Sequence, residues 1–449
     1  MCNSSGRSKR TAFVNVLLSF ALIFVWGAQA NVVSLQNKLA LDQVSTYEGI
    51  ESNSATLLVK MQSAILNHLH IKDAGGWGTL ELSRILKKND VGIDVHQLIT
   101  RLAATNDINF NECVIAEPNS FTRKNHRCVF DRHVETAVKR FQQRHGLKVD
   151  GIVGPETLTQ LNVPVEQRLK QLVVNLNRIS AFPGISDEEY VYVNIPEFRL
   201  RYVDRGTVRL KNKVVVGKPY WQTPSMSDVI EKFVINPTWK IPLSIATKEI
   251  APKAAKDPDY FEKADIEIRK DSYVDTETID PNQINWQEVT PYDFDYFLVK
   301  RAGEENPLGE IKYLFPNKEA IYVHDTPAKN WFERPLRAAS HGCIRMEQPF
   351  SLAQSIARHT NRQKLLDTIE EVRQSGKTQT FYLEKPLPIH LVYWTAWVDE
   401  TDQVNFRRDI YDRDSAPLAK LEAGPEIYSN FINPLANEPA DLGNIQNGN

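Results

Sequence analysis

The sequence predicts an α+β chain in which a helical first part precedes a mainly β domain. Apolar residues recur at spacings of three and four as far as Ile179, and from Tyr190 they alternate at a spacing of two. The length of 449 residues is enough for more than one domain. The hydrophobic share of 42% and the charged share of 24% are those of an ordinary folded protein. The net charge of −2 gives no reason to expect a nucleic-acid partner.

The first thirty residues predict a secretory signal peptide. A basic segment precedes an apolar run from Ala12 to Trp26, which leads to the small residues Ala28 and Ala30. The run is shorter than the roughly 20 residues of a comfortable membrane span. An uncleaved inner-membrane anchor is the alternative. In both cases we expect the rest of the chain to be exported to the periplasm.

The four cysteines fall into three groups. Cys2 lies in the predicted leader, and Cys113 and Cys128 are left to pair with each other, as an oxidising compartment permits. Cys343 is then the odd thiol, which marks it as a candidate reactive group in an exported protein.

Helical patterns cover the segment that follows the leader. We predict a helical scaffold over 31–76, a small helical module over 77–163 and a linking helix over 164–187. Within the module, Gly146 is a plausible end of one helix and Pro155 a first residue of the next.

The module resembles the peptidoglycan-binding domain 1 family, which is a three-helix fold. The resemblance rests on the runs Ala137–Gln142, Gly146–Leu147 and Asp150–Thr157. It implies peptidoglycan as a partner. The alternative is a generic helical spacer, and a module of this kind can also be retained as a spacer without binding.

The β pattern predicts a catalytic domain over 188–415. Alternating residues predict strands around 191–202, 208–216 and 229–235, and later at 378–383, 391–398 and 404–406, with helix over 349–374 between them. The tail, 416–449, has no clear period, and we expect it to be irregular. The strand pattern is interrupted over 237–297, and so long an insertion in a compact domain is usually a functional lid or a disordered loop.

One stretch carries the chemistry. An apolar run, Ile321–Val323, ends in His324, and a tight turn at Gly342 carries Cys343. A thiol needs a base to form a thiolate, which His324 can supply. The backbone N–H groups around Gly342 and Cys343 can stabilise an oxyanion, because glycine allows the chain to turn sharply.

This stretch resembles the signature of the L,D-transpeptidases that cross-link peptidoglycan. His324, Ser340-His341-Gly342-Cys343 and Arg345 match it in residue type and spacing. The alternative is a buried cysteine beside a strand histidine. The resemblance implies an L,D-transpeptidase sandwich without metal or cofactor, and a target of carbapenems. Gly217–Tyr220, Asn236–Trp239 and Val392–Trp397 resemble the large Gram-negative class, which carries a substrate-capping subdomain at the insertion.

The resemblance also implies roles for individual residues. Cys343 would attack the carbonyl that precedes the terminal D-alanine of a donor tetrapeptide, and His324 would move the protons. Asp325 would orient the imidazole through its backbone carbonyl. The acceptor would be the side-chain amine of the third residue of a second stem. Water as acceptor would make the enzyme an L,D-carboxypeptidase, and a protein amine would attach that protein to peptidoglycan.

A second group of residues is expected to support the site. His341 would shape the turn, together with Ser340, and Tyr322 precedes the catalytic histidine by two residues. Arg345 would hold the loop through hydrogen bonds to carbonyls or, as the less favoured alternative, bind a substrate carboxylate. Trp239 would line the substrate groove or anchor the insertion, and we weigh these two roles equally.

Three rival classes fit less well. Papain-like hydrolases place the cysteine before the histidine, and here His324 precedes Cys343. A zinc peptidase would need three protein ligands, and His324, His341 and Cys343 lack the His-Glu-x-x-His helix pattern. A binding protein with a decayed enzyme domain would not be expected to keep the complete motif. The preferred acceptor, the third residue of the stem, protein partners and the oligomeric state are not specified by the sequence.

Overall fold

The computed structural model describes residues 52–109, 128–182, 188–271, 277–359 and 363–423. The predicted signal peptide, Cys113 and most of the predicted tail lie outside these residues. Contacts divide the chain into residues 1–59 and residues 60–449, and the packing described below is that of the second unit. None of the helices in the described ranges has the length and hydrophobicity needed to cross a bilayer.

The first half of the described chain is helical, as the periodicity predicts. A short antiparallel pair joins Val91 to Val129 within it. The elements are α1 (Ser52–Asp73), β1 (Val91–Gly92), α2 (Ile93–Ala103), β2 (Cys128–Val129), α3 (Arg132–Arg144), α4 (Pro155–Leu161) and α5 (Val165–Ser180).

The module has its own core and clear helix ends. The Asp131 carboxylate accepts hydrogen bonds from the N–H groups of His133 and Val134, which caps α3. Gly146 has a φ of 66° just after α3, a conformation that favours glycine. The fully buried Leu98, Phe130 and Phe141 lie in one hydrophobic cluster. Cys128 is disulfide-bonded, whereas its predicted partner Cys113 lies outside the described residues.

The second half is built on one nine-stranded sheet. Its strands are β3 (Glu189–Asn194), β4 (Arg199–Asp204), β5 (Thr207–Gly217), β6 (Met226–Ile235), β10 (Ile311–Leu314), β11 (Val323–His324), β12 (Ala338–Ser340), β13 (Ile344–Met346) and β14 (Gln379–Val392). Their order is β12-β5-β13-β11-β10-β6-β14-β3-β4, and β4 also pairs with β5. The sheet therefore closes on itself around a single apolar core.

Two helices pack against this sheet, and a hairpin follows it. Leu352 and Ile356 of the first helix and Ile369 and Val372 of the second belong to the sheet's hydrophobic core. The hairpin pairs Ala396 with Phe406. These elements are α9 (Phe350–His359), α10 (Gln363–Ser375), β15 (Ala396–Val398) and β16 (Val404–Phe406). The whole second half is thus α+β with a mainly β domain, as predicted.

The insertion is a small folded subdomain. It contains β7 (Trp239–Lys240), α6 (Leu243–Ile245), a π-helical turn (Ala246–Ile250), α7 (Ala251–Ala254), α8 (Tyr260–Lys263), β8 (Ile266–Arg269) and β9 (Phe297–Lys300). These three strands form a separate sheet in the order β7-β9-β8. Ile250, Phe261, Ile268 and Leu298 are buried in its own core. Of the two sequence-based alternatives, the disordered loop is therefore wrong for the described part of the insertion.

Two further expectations need correction. The strand predicted around 378–383 extends to Val392 as β14, which continues through Pro386 and Pro388 with an irregular register between Tyr382 and Leu387, whereas the strand predicted around 391–398 is divided between the end of β14 and β15. A bulge tolerates prolines that a regular central strand would exclude. The predicted tail begins with a helix, α11 (Ser415–Ala423), whose Leu421 is buried.

Candidate active site

Parallel pairing of β11 with β13 assembles the site. Val323 lies opposite Ile344, and His324 lies opposite Arg345. Side chains alternate between the two faces of a strand, so Tyr322 and His324 point to one side, while Val323 points into the core. By the same alternation Cys343 and Arg345 share a side on the second strand, opposite to the buried Ile344. The pairing therefore brings the predicted base and nucleophile to one face.

The turn before β13 is fixed by a set of hydrogen bonds. Gly342 has a φ of 116°, which a residue with a side chain rarely adopts. The buried Ser340 hydroxyl donates to the Cys343 carbonyl at 2.6 Å and accepts from the Gly342 N–H at 3.2 Å. Thr223 donates to the Gly342 carbonyl at 2.7 Å. Ser340 is therefore placed to shape the turn, and the Gly342 N–H is already engaged.

The Cys343 thiol is the free cysteine of the described residues, and it is partly buried. Its sulfur lies 3.8 Å from the Ala320 carbonyl, and it also contacts the Tyr322 hydroxyl and backbone N–H. Burial raises the pKa of the thiol, and the Tyr322 contacts and the charge of Arg345 oppose that shift. The thiol hydrogen bond in this arrangement goes to the Ala320 carbonyl.

His324 is buried and neutral. Its Nδ1 donates to the backbone carbonyl of Asp325 at 2.5 Å, which leaves Nε2 as the nitrogen that can accept a proton. Burial and, as smaller contributions, the charges of Arg345 and Lys312 together lower the pKa of His324 to about 3, against the opposing effect of the Asp325 bond. The residue is therefore held in the form that a general base requires.

Two cations flank His324 on neighbouring strands. Arg345 is its partner on β13, and Lys312 is its partner on β10. Burial lowers the pKa of Lys312 to about 8, with a further contribution from Lys240. Lys312 donates to the Thr238 carbonyl at 3.3 Å. A proton on His324 would be repelled from both sides, and this repulsion adds to the larger effect of burial on its pKa.

Arg345 does not hold the loop in the way that the sequence favoured. Its Nε is buried and has no hydrogen-bond partner, and none of the described carbonyls accepts a hydrogen bond from its guanidinium. Burial lowers the pKa of Arg345, and the nearby Cys343 opposes that shift. A buried donor without a partner is costly. The Arg345 Nε is therefore a buried donor that the described residues leave unsatisfied.

Asp325 contributes to the site by its backbone. Its carbonyl orients His324, while its carboxylate accepts from Lys329 at 2.5 Å and from the Glu310 N–H at 3.0 Å. Gly309, with a φ of 58°, leaves no room for a Cβ beside that carboxylate. The carboxylate therefore stabilises the loop that carries the carbonyl.

The inserted subdomain reaches the site through two side chains. Glu249 Oε1 lies 2.8 Å from His341 Nε2, and the ring of His341 also lies 3.8 Å from that of Trp221. Trp239 packs on the subdomain core and contacts the Tyr322 hydroxyl, so both of its proposed roles are compatible with its place. A cleft of about 990 Å³ lies between these groups, lined by Trp239, Tyr322, His324, Cys343 and Arg345 among others.

Sequence reasoning missed three contributors. Glu249, Lys312 and Trp221 carry no motif of their own. Trp221 directly follows Gly217–Tyr220, which the resemblance had singled out, so the sequence did contain a signal that pointed to it. Lys312 and Glu249 are brought in by long-range strand pairing and by the fold of the insertion, which local patterns do not specify.

The site residues do not form a metal centre. Within the described ranges, no group of three or more His, Cys, Asp or Glu side chains is placed to hold a metal ion. His341 contacts Glu249 and Trp221, and the Cys343 sulfur contacts Ala320 and Tyr322. The three side chains of the zinc alternative are therefore engaged separately.

Comparison with known families agrees with this geometry. Residues 188–367 match the family described as "L,D-transpeptidase catalytic domain" (YkuD). The matched region includes His324, Cys343 and Arg345. Residues 125–161 match the family described as "Putative peptidoglycan binding domain", so both resemblances seen in the sequence are confirmed.

Individual proteins similar to the transpeptidase domain have also been found. A Haemophilus influenzae protein named "Putative L,D-transpeptidase" is 31% identical over 245 residues, which are 55% of this chain and 48% of that protein. The chain therefore spans about half the length of this curated relative. Among solved structures, an L,D-transpeptidase from Stackebrandtia nassauensis has 12% identity and a TM-score of 0.23, covering 70% of this chain and 95% of its own. One from Mycobacterium smegmatis has 13% identity and a TM-score of 0.21, covering 45% and 58%.

Proposed function

We propose that this protein is an exported L,D-transpeptidase that joins the third residues of peptidoglycan stem peptides through a thioester on Cys343. The observation that carries the proposal is the pairing of β11 with β13, which presents Cys343, His324 and Arg345 on one face beside the cleft. The predicted signal peptide supports a periplasmic location, where peptidoglycan is assembled.

In the first half-reaction His324 Nε2 accepts the proton of the Cys343 thiol. The sulfur attacks the carbonyl of the third residue of a donor tetrapeptide, and the bond to the terminal D-alanine breaks. The proton passes from His324 to the leaving nitrogen, so D-alanine is released with a neutral amino group. The acyl group stays on Cys343 as a thioester. A neutral imidazole is required at the start, which the lowered pKa of His324 provides.

In the second half-reaction the side-chain amine of a third residue in another stem attacks the thioester. His324 accepts a proton from that amine and returns it to the sulfur as the C–S bond breaks. The product is an amide between two third residues, and Cys343 is again a thiol. Water in place of the amine would give a tripeptide, which is the carboxypeptidase alternative.

Two donors are available for the oxyanion that forms in each half-reaction. The Gly342 N–H is bonded to Ser340, but the Cys343 N–H makes no hydrogen bond with the described residues. The Tyr322 hydroxyl lies against the Cys343 sulfur. We assign stabilisation of the oxyanion to the Cys343 N–H and the Tyr322 hydroxyl. This pair differs from the one that the sequence indicated, because the Tyr322 hydroxyl takes the place of the Gly342 N–H.

Arg345 is assigned to a substrate carboxylate. Its Nε is buried without a partner, and a planar guanidinium matches a carboxylate with two parallel hydrogen bonds. The donor tetrapeptide ends in a D-alanine carboxylate close to the bond that breaks. An ion pair there would fix the scissile carbonyl against Cys343.

The test is incubation of the protein with purified disaccharide-tetrapeptide and mass spectrometry of the products. Cross-linked dimer with released D-alanine supports the proposal, and Cys343→Ala serves as the inactive control. Tripeptide without dimer would replace it with the carboxypeptidase. Unchanged substrate, under conditions where the same preparation is acylated by a carbapenem, would refute stem tetrapeptide as the donor.

A further inference from the structure

A second groove lies between the module and the catalytic domain. Its volume is about 530 Å³. It is lined on one side by 143, 145–149, 156 and 160 of the module and on the other by 196–199, 213, 332–337, 407, 408 and 410 of the catalytic domain. None of the residues already assigned to the active site lines it. It is therefore a separate feature that the catalytic mechanism does not use.

The groove collects arginines that form no close ion pair, although the charge of Glu197 acts on Arg199 and Arg407. None of the five arginine side chains at the groove forms an ion pair with a described carboxylate. The guanidinium groups of Arg337 and Arg407 donate only to backbone carbonyls. Three carboxylates line the groove, Glu156, Glu197 and Glu333, and Glu197 is already paired with Arg201, so the carboxylates are too few to balance the five arginines. The arginines are Arg199, Arg334, Arg337, Arg407 and Arg408.

The arginines repel one another in this arrangement. Burial and, as a smaller contribution, the charge of Arg199 lower the pKa of Arg337 to about 10, against the opposing charges of Glu347 and Glu197. Burial likewise lowers the pKa of Arg407 to about 10. An anion placed among them would relieve this repulsion, and arginine is the side chain best suited to bind a carboxylate in two hydrogen bonds.

Apolar side chains border the same groove. Val149 of the module is 50% exposed, and Leu336 of the catalytic domain is 49% exposed. A ligand that matches both the arginines and the apolar border carries carboxylates and small apolar groups along one polymer chain. Peptide stems with alanine methyl groups and free carboxylates have this chemistry.

The groove is connected to the active site through one short strand. Arg337 immediately precedes β12, and Ser340 at the end of β12 bonds the Cys343 carbonyl. At about 3.3 Å per residue, the three steps from Arg337 to Ser340 span about 10 Å. A polymer lying in the groove is thus close enough for another of its stems to enter the cleft.

We propose that this groove binds the stem-peptide carboxylates of a peptidoglycan segment that is not being processed, so that module and catalytic domain hold the polymer jointly. The proposal rests on the proposed function in so far as the polymer is peptidoglycan. The module then acts through a surface that it shares with the enzyme. Arg199 and Arg408 are the principal contacts, because neither side chain forms a hydrogen bond or ion pair with the described residues.

The test is co-sedimentation of the full chain with purified peptidoglycan sacculi. The double variant Arg199→Glu/Arg408→Glu should weaken binding by at least about tenfold, since each arginine loses a charge-assisted hydrogen bond. A glutamate side chain at position 199 would lie near the positive charge of Arg337, so we expect the double variant to fold. The matched control is Arg205→Glu/Arg209→Glu, which changes the charge equally at two exposed positions outside the groove, one in the turn after β4 and one in β5. Equal binding by both double variants would overturn the proposal.

A competition experiment tests the carboxylates directly. Free disaccharide-tetrapeptide should displace the chain from sacculi, whereas the same compound with its carboxylates converted to amides should not. Equal displacement by both would overturn recognition through carboxylates. Cross-linking of the soluble tetrapeptide and acylation by a carbapenem should be unchanged in Arg199→Glu/Arg408→Glu. Those two assays separate failure of the groove from failure of the proposed function.

Discussion

His324 and Arg345 lie directly opposite each other on the parallel strands β11 and β13. The guanidinium therefore sits beside the imidazole that is proposed to act as the base, and its charge helps to lower the pKa of His324 below its ordinary value. One residue thus has two consequences, since it keeps the base neutral and offers a buried donor to a substrate carboxylate.

The first prediction concerns the pH dependence of acylation. His324 must be neutral to accept the thiol proton, and with a pKa of about 3 it stays neutral throughout the ordinary range. The rate of acylation by a carbapenem should therefore show no acid limb near pH 6.5, the ordinary pKa of histidine. Rates measured between pH 4.5 and 8 by stopped-flow absorbance would check this, and an acid limb near 6.5 would contradict it.

Removing a flanking charge extends this prediction. Lys312→Met and Arg345→Met should each raise the pKa of His324, because a positive neighbour is lost, so activity should fall sooner as the pH is lowered. Burial still lowers the pKa of His324 in both variants, so that pKa should stay below 6.5. Lys312→Met separates the electrostatic effect from substrate binding, since only Arg345 is assigned to the substrate. No shift in either variant would mean that burial alone keeps the histidine neutral.

The second prediction is that Cys343→Ser abolishes transfer and leaves the fold intact. A hydroxyl has a far higher pKa than a thiol, so the same histidine does not ionise it readily. We expect a loss of at least about a thousandfold in product formation. Mass spectrometry of the products and the thermal midpoint of both proteins are the measurements. Acylation of the serine variant at the original rate would refute the assignment of the nucleophile.

Local sequence patterns predicted much of the fold and part of the site. The apolar faces of α3 and α5 and the alternation in β3, β4 and β6 were legible because each element repeats its own period. The motif identified Cys343, His324 and Arg345. The sequence did not predict that Lys312 lies beside His324, because the register of β10 against β11 is a long-range property. The same is true of Glu249, which reaches His341 only after the insertion has folded.

The third prediction concerns inhibitors. A β-lactam is a strained acyl donor, and Cys343 lies in a cleft open to such a molecule. A carbapenem should add its mass to the peptide that contains Cys343. Digestion and tandem mass spectrometry locate the adduct, with Cys343→Ser as the control that should stay unmodified. An adduct on a serine of the unaltered protein would indicate a different acylation chemistry.

The fourth prediction concerns stability in acid. His68 is buried beside Trp77 and Phe406, and burial lowers its pKa to about 4, with Arg144, Arg168 and Arg101 lowering it further against the opposing bond to Ala64. The unfolded chain takes up a proton near pH 6.5 and the folded chain does not, so unfolding becomes easier as the pH falls from 6.5 towards 4. The free energy of unfolding should drop by about 3 kcal/mol from this residue alone.

Urea unfolding at several pH values between 7.5 and 4.5 measures this effect. His68→Gln should be less stable than the original protein at pH 7.5 but should lose less further stability in acid. His70→Gln, an exposed change in the same helix, is the control and should retain the full pH dependence. Parallel curves for all three proteins would show that His68 is not the group responsible.

The last prediction concerns the inserted subdomain. A thioester on Cys343 must survive until an amine arrives, although water is far more abundant, and a cover over the cleft excludes water. The subdomain lines the cleft with Trp239 and Glu249, and Glu249 is bonded to His341 in the catalytic turn. Replacing residues 237–297 by a short Gly/Ser connection should therefore shift products from cross-linked dimer to tripeptide. Glu249→Ala should shift them in the same direction by a smaller amount, with Glu262→Ala, an exposed change in the same subdomain, as its control. Acylation by a carbapenem should persist throughout, because His324 and Cys343 lie outside the insertion. A shortened protein that folds and keeps its ratio of dimer to tripeptide would show that the subdomain does not protect the thioester.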